Sequence, residues 1–253
     1  MRAFILAVAI ALLFSTNALA KDDPEPLLRM GFHFGFGPTG YWDTPPKYLV
    51  DEDDWGGFAA DLGLVFKLNI NETLHLLLEL DLGINEVFRN LSWVSQNVTY
   101  TEEETRTIFK FNVPILFRFN PIDFVYVDAG AQLNYNLETA QTKDYKNRDG
   151  YKVRSVEREK ESLEKWKVKG EVTSLVFGFG LCGRSGDFGV RFILDLDRIH
   201  KNDEIRYYYD GDEILAYDDY VKSSSEKKRV KPVIAENKTK MWTIQFVINY
   251  FFL

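Results

Sequence analysis

Eleven charged residues occupy alternate positions in otherwise apolar segments, and a salt-bridge network is the chemistry they could support. The five cations nearly balance the six anions. Buried charges are tolerated when they are paired and hydrogen-bonded, so we predict a structural network in an enclosed interior, with a conducting pore or a proton relay as alternatives. The residues are Arg29, Lys67, Lys110, Arg118 and Arg191 together with Asp61, Glu79, Asp81, Asp128, Asp195 and Asp197.

The histidines give little support to a catalytic or metal site. His33, His75 and His200 fall in different segments and lack a metal-ligand spacing. A lipid-modifying enzyme would need a histidine beside a serine nucleophile, and only His200 has a suitable position. No serine stands next to it in sequence. We therefore predict no metal, no cofactor and no enzymatic activity.

Polar connections carry the remaining candidates. Acidic residues at 51–54 and 210–213 could bind calcium, but the spacing of a calcium-binding loop is absent. Solvated loops are the simpler interpretation. Tyrosines at 207–209 and Trp93 could form a contact surface or belong to an interfacial aromatic belt.

Residues 74–89 show the element that positions the charged row. Leu74, Leu76, Leu78, Leu80 and Leu82 alternate with a second row that contains Glu79 and Asp81. Period two indicates a β-strand. The apolar row is longer than a typical strand of a soluble protein, while about nine to eleven residues suffice to cross a membrane. We expect the leucine row to face lipid and the charged row to face inward.

Seven further segments alternate in the same way, beginning near residues 28, 58, 105, 125, 174, 188 and 242. Long connections at 38–56, 90–104, 138–168 and 201–238 alternate with tight turns at 71–73, 120–123 and 183–186. Outer-membrane barrels have long surface loops and short periplasmic turns. We therefore predict an all-β fold, an eight-stranded antiparallel up-and-down transmembrane β-barrel. We also expect a short helix at 157–166 and an exposed hairpin at 205–217.

The amino-terminal residues predict export. Arg2, an apolar run from Phe4 to Phe14 and the sequence Ala18-Leu19-Ala20 are typical of a cleaved signal peptide. We assign 1–20 to the signal peptide and 21–253 to one barrel domain. The remaining 30 basic and 38 acidic residues give a charge of −8, which argues against nucleic acid as a partner. Cys182 is the sole cysteine, so an intrachain disulfide is excluded.

Three segments resemble the PorT-like outer-membrane β-barrel family. Residues 111–119 (FNVPILFRF), 125–130 (VYVDAG) and 177–180 (FGFG) are similar to successive strands of that family. The resemblance implies a signal peptide and a bacterial outer-membrane barrel, with protein secretion as the role of a few members. It implies no catalytic residues. The alternating residues 246–252 also resemble an outer-membrane assembly signal, although Leu253 follows the final aromatic.

We expect a small non-enzymatic outer-membrane barrel with a side-chain-filled lumen and surface loops for interaction or membrane integrity. An accessory role in a secretion apparatus is the main alternative, and a lipid-modifying enzyme or a small pore are less favoured. The expected partners are outer-membrane lipid, the assembly machinery that reads the last strand, and an unidentified surface or periplasmic protein.

Overall fold

The structure is a computed structural model of the chain. It describes residues 26–42, 51–52, 56–95, 98–146, 152–161, 169–199, 204–210, 213–215, 233–236 and 239–252, and side chains are described for 26–42, 56–88, 105–137, 169–199 and 239–252. The predicted signal peptide and His200 lie outside the described residues, so the assignment of 1–20 stays a prediction.

Eight long strands form the body of the protein. They are β1 (Leu28–Trp42), β2 (Gly56–Asn69), β3 (Leu74–Ser95), β4 (Val98–Ile122), β5 (Val125–Lys146), β6 (Glu171–Cys182), β7 (Gly186–Asp195) and β8 (Lys240–Phe251). Each pairs antiparallel with the strand that follows it, and β8 returns to pair with β1. The sheet is therefore a closed eight-stranded up-and-down barrel, which confirms the predicted fold class.

The inward and outward rows follow the predicted alternation. In β3, His75, Leu77, Glu79 and Asp81 are buried, while Leu74, Leu78 and Leu82 are exposed. The same pattern runs through β6 and β8. Extending the inward parity of Tyr126 and Asp128 back along the chain would place Phe124 inward, but it lies in the tight turn between β4 and β5 and is exposed. A turn breaks the period, so parity cannot be extended through it.

Short and long connections segregate to opposite ends, as predicted. The strand pairs β2–β3, β4–β5 and β6–β7 are joined by short turns at one end of the barrel. In the first turn, the Asn71 side-chain oxygen accepts the backbone N–H groups of Thr73 and Leu74 at 2.9 and 2.8 Å. This end is hereafter the short-turn end, and the opposite one is the long-loop end.

The connections at the long-loop end contain more β-structure than we predicted. Residues 90–104 are not a polar loop, because β3 and β4 stay paired from Arg89↔Glu104 to Ser95↔Val98. The helix expected at 157–166 was wrong over 157–161, because Lys152–Glu161 is a strand that pairs with the end of β5; residues 162–166 lie outside the described residues. The hairpin expected at 205–217 is confirmed where the structure describes it, because Glu204–Asp210 pairs with Glu213–Leu215, and Val233–Glu236 adds a third strand. Its exposure stays a prediction.

The barrel interior contains two apolar clusters among its polar residues. One cluster, Tyr41, Val87, Ile108, Ile199 and Met241, lies toward the long-loop end. The other consists of Val65, Leu77, Leu116, Val176, Ile193 and Phe251. Within the described chain, no helix is long and apolar enough to cross a membrane.

Candidate functional site in the barrel interior

Arg118 is the centre of the first ionic group in the interior. Its guanidinium binds both carboxylate oxygens of Asp128 on the neighbouring strand β5, at 2.8 and 3.0 Å. It also forms an ion pair with Asp187 of β7, and it stacks on the Tyr126 ring, 3.7 Å from the ring centroid. Arg118 is fully buried, so two carboxylates and an aromatic face replace its hydration.

Arg191 and Glu79 form a tie across the barrel. Arg191 lies on β7 and Glu79 on β3, which are four strands apart in either direction around the ring of eight. Their two hydrogen bonds measure 2.5 and 2.7 Å. Arg191 also approaches Asp128 to 3.7 Å. The Glu79 and Arg118 groups are thereby joined into one network that spans the interior.

A histidine and two further carboxylates lie next to Glu79. The His33 Nε2 atom is 3.2 Å from Asp61 Oδ1, and its Nδ1 atom is 2.7 Å from Asn249 Oδ1 and 3.7 Å from Glu79 Oε2. The Gln245 side chain donates to Asp61 Oδ2 at 2.6 Å. A carboxylate oxygen of Asp81, on β3, lies within 4.8 Å of side-chain atoms of both His33 and Glu79.

A separate polar group holds Asp195 toward the long-loop end. Asp195 accepts hydrogen bonds from the Ser174 hydroxyl at 2.6 Å and from the Met241 backbone N–H at 3.3 Å. Lys110 interacts electrostatically with both Asp195 and Asp61. Asn134 donates to Ser174 at 2.7 Å, which extends this group onto β5.

Three of the predicted charged residues lie at the edges of the interior. Arg29 and Lys67 are buried against the Phe251 ring, at 4.6 and 5.9 Å from its centroid. Arg29 also donates to the Arg184 backbone carbonyl in the turn before β7. Asp197 follows the end of β7, is half-buried, and accepts the backbone N–H of Thr173 at 2.9 Å.

Two residues that form ion pairs in the network, Asp187 and His33, were not in the predicted set. We began the seventh strand at Phe188 and ended the preceding turn at Gly186, so Asp187 was assigned to neither. Extending the alternation by one residue would have placed it inward with Gly189 and Arg191. His33 has inward parity in the sequence, but nothing there shows that it meets Asp61 and Glu79, because strand register decides this contact.

The arrangement seals much of the interior. An internal cavity of about 20 Å³ is bordered by residues that include Lys110, Asp195 and Thr243. That volume is about the space one water molecule needs. Polar groups beside it are held by neighbouring side chains, as Asp195 is by Ser174 and by the Met241 backbone, so the arrangement described here is one of charge pairing and hydrogen bonding.

No protein-family profile matches the chain, and no curated protein is significantly similar to it. The barrel is similar to the crystal structure of Ail, the attachment invasion locus protein of Yersinia pestis, with 11% identity, 88% of this chain and 98% of that chain covered, and a TM-score of 0.34. Neisserial surface protein A is 8% identical, with 87% of this chain and 97% of that chain covered and a TM-score of 0.37. The outer-membrane protein OprG of Pseudomonas aeruginosa is 12% identical, with 89% of this chain and 94% of that chain covered and a TM-score of 0.29. At these TM-scores the fold rests on the strand pairing of this chain.

Proposed function

We propose that this protein is a non-enzymatic, non-conducting bacterial outer-membrane barrel that displays β-hairpins beyond the membrane for interaction with a partner or for membrane integrity. The observation that carries the proposal is the combination of an apolar outer surface with an interior closed by paired charges. Each half of this observation excludes a different alternative.

The outer surface supports a lipid environment. Large apolar side chains are exposed on every barrel strand, including Phe32, Leu62, Leu82, Phe117, Val127, Phe177, Phe192 and Phe246. Soluble monomers rarely expose apolar patches larger than a few hundred Å². A closed sheet also leaves no unpaired edge in the hydrocarbon, where water cannot satisfy backbone groups. A soluble β-protein would have no reason to combine these two properties.

The interior supports a sealed barrel. An eight-stranded barrel is just wide enough for side chains to fill, and the Glu79–Arg191 tie crosses it from wall to wall. The two charges of this tie compensate one another and obstruct a continuous path along the barrel axis. We therefore favour a structural plug over a pore.

The strand lengths support a function at the long-loop end. β6 and β7 contain 12 and 10 residues, close to the roughly nine to eleven needed to span a membrane. β3, β4 and β5 contain 22, 25 and 22 residues. At about 3.3 Å per residue and a tilt near 40°, β4 rises about 60 Å, twice a hydrocarbon core of about 30 Å. Since the short turns lie at the other end, the extra length projects from the long-loop end.

By analogy with outer-membrane barrels, which have long surface loops and short periplasmic turns, we propose that the hairpins lie on the cell surface and the short turns in the periplasm. We propose export by the predicted signal peptide, insertion through recognition of β8 by the assembly machinery, and contact with outer-membrane lipid. A surface or periplasmic protein partner also stays a proposal, and the crosslinking experiment below is designed to identify it. Membership of the PorT-like family and a role beside a secretion apparatus stay proposals that rest on the resemblance of 111–119, 125–130 and 177–180.

The first test is fractionation of cells that produce the full chain, followed by electrophoresis of boiled and unboiled samples and by planar-bilayer recording. We expect the protein in the outer membrane, a change of mobility on heating and no steady conductance steps, with a porin as the positive control. Recovery from the soluble periplasm without a heat shift would contradict the membrane assignment. Stable conductance steps would contradict the sealed interior.

The second test separates the hairpins from the barrel. Replacing residues 90–103 by Asn-Gly keeps the Arg89↔Glu104 pair and closes it with a favoured two-residue turn. We expect the shortened variant to keep its heat shift and to lose partner crosslinking or envelope resistance to detergent. A variant that behaves like wild type in both assays would exclude this hairpin as the functional element. Crosslinking only to periplasmic secretion components would favour the accessory role.

A further inference from the structure

We propose that the barrel interior contains a binding site for a divalent metal ion of the zinc class, formed by His33, Glu79 and Asp81. One nitrogen or oxygen atom from each of these residues lies within 4.8 Å of the others. All three side chains are buried. The site is independent of the surface function proposed above.

The strand register brings the ligands together. His33 of β1 pairs with Gly63 of β2, and Gly63 pairs with Asp81 of β3. Gly63 has no side chain between them, and a Cβ atom built there would lie 2.2 Å from Asp81 Oδ1. The Asp81 side chain therefore extends over Gly63, toward the strand that carries His33.

The Asp81 carboxylate gives evidence for the site that is independent of the short distances among the three proposed ligands. Its side chain is 1% exposed, and among the residues that the structure describes its Oδ1 atom has no hydrogen-bond partner. A buried carboxylate oxygen without a partner is costly. A metal ion between Asp81 and His33 would satisfy that oxygen directly.

Asp61, a further carboxylate beside His33, lies where it can orient the His33 ring. Asp61 Oδ1 lies 3.2 Å from His33 Nε2, and Gln245 fixes the other oxygen of Asp61. The Nδ1 atom lies 2.7 Å from Asn249 Oδ1, to which its N–H donates, and 3.7 Å from Glu79 Oε2; with the Nε2 proton kept on the side of Asp61, loss of the Nδ1 proton would free Nδ1 to bind an ion. Histidine ligands of metals commonly donate their second N–H to a carboxylate in this manner. The ion would replace the contact of Nδ1 with Asn249.

The local charge also favours a cation. Asp61, Glu79 and Asp81 bring three carboxyl groups around His33, and Arg191 pairs with Glu79. A carboxylate has about four lone-pair positions, so the two bonds from Arg191 leave Glu79 able to bind an ion as well. One nitrogen with carboxylate oxygens suits Zn²⁺ and similar ions, whereas Ca²⁺ takes six to eight oxygen ligands.

The test is metal analysis of the full-length protein refolded into detergent with Zn²⁺ present, then dialysed. Only the heat-shifted, folded fraction is analysed, and Co²⁺ refolding gives an absorption spectrum that reports nitrogen and oxygen ligands. We expect one Zn²⁺ per chain, loss of binding in Asp81→Asn and in His33→Gln, and weakening by about 10–100-fold in Asp61→Asn. Asp195→Asn is the matched control, because it neutralises another buried interior aspartate and should bind Zn²⁺ normally.

Absence of Zn²⁺ from folded wild-type protein would overturn the proposal. Equal binding by wild type and Asp81→Asn would also overturn it, because the ion would then be held elsewhere. Two ligand variants are included so that one of them can fail to fold without removing the test.

Discussion

Removing the negative charge of Glu79 should destabilise the barrel more than any exposed substitution of the same kind. In Glu79→Gln, the Arg191 guanidinium loses its charged partner and one of two hydrogen bonds of 2.5 and 2.7 Å. A hydrogen bond to a charged group contributes about 1.5–3 kcal/mol. Breaking one side of a buried ion pair costs about 3–5 kcal/mol. Because Asp128 stays 3.7 Å from Arg191 and compensates in part, we expect a loss of about 3 kcal/mol.

The assay is urea unfolding of the protein in lipid vesicles, followed by tryptophan fluorescence and by the electrophoretic heat shift. EDTA is present throughout, so that a bound metal ion does not contribute. Glu72→Gln is the matched control, because Glu72 lies exposed in the turn between β2 and β3. We expect Glu72→Gln to leave the free energy of unfolding within about 0.5 kcal/mol of wild type.

The double variant Glu79→Leu with Arg191→Met distinguishes the cost of leaving one buried charge unpaired from the cost of removing the ion pair altogether. Replacing both partners by apolar groups of similar size is often neutral or stabilising. We therefore expect the double variant to be more stable than Glu79→Gln. Equal unfolding free energies for wild type and Glu79→Gln would refute the cross-barrel ion pair.

Three further predictions follow from the same structure. Arg118→Met removes the cation bound to Asp187 and leaves Asp128 with only the 3.7 Å contact to Arg191, and it should cost about 3–5 kcal/mol in the same urea assay; an unchanged unfolding free energy would contradict it. Phe177→Arg places a cation midway along β6 on the outer face and should cost about 2–4 kcal/mol in vesicles, and a neutral effect would indicate that this face is not in lipid. Combined Glu79→Ala and Arg191→Ala should produce small conductance steps in planar bilayers, and continued silence would show that other side chains close the interior.

The barrel itself was predictable because its signal is repeated. A period of two places apolar residues outward in each strand, the alternating loop lengths are typical of outer-membrane barrels, and closure is expected because a sheet in lipid cannot leave unpaired edges. The inward row could be read in the same way, which is why Arg118, Asp128, Glu79 and Arg191 were identified before their contacts were known.

The contacts within the interior could not be predicted, because they depend on register. The pairing of Glu79 with Arg191 joins residues 112 positions apart on opposite walls, and sequence alternation gives no information about which inward residues share a level. The cluster of His33 with Asp81 has the same origin, since it requires Gly63 to lie between them.

The long hairpins were missed for a different reason. Residues 90–104 and 152–161 are mostly polar, and their few apolar residues, such as Leu91 with Trp93 and Val98 with Tyr100, do not form the sustained alternation that marks a half-buried strand. Residues 90–104 continue the pairing of β3 with β4 beyond the barrel, and residues 152–161 pair with the end of β5. The charged run at 157–161 resembles a helix in composition but extends the edge of β5.

The most direct test of the account is a nitroxide scan along β6. Cys182 is replaced by serine, and residues 174–181 are each changed to cysteine in turn, labelled and reconstituted in lipid. We predict that collision with dissolved oxygen, which concentrates in lipid, alternates with a period of two and is highest at 175, 177, 179 and 181. Accessibility that is uniform along the strand, or higher to a water-soluble relaxant at those four positions, would contradict a barrel with its apolar row in the membrane.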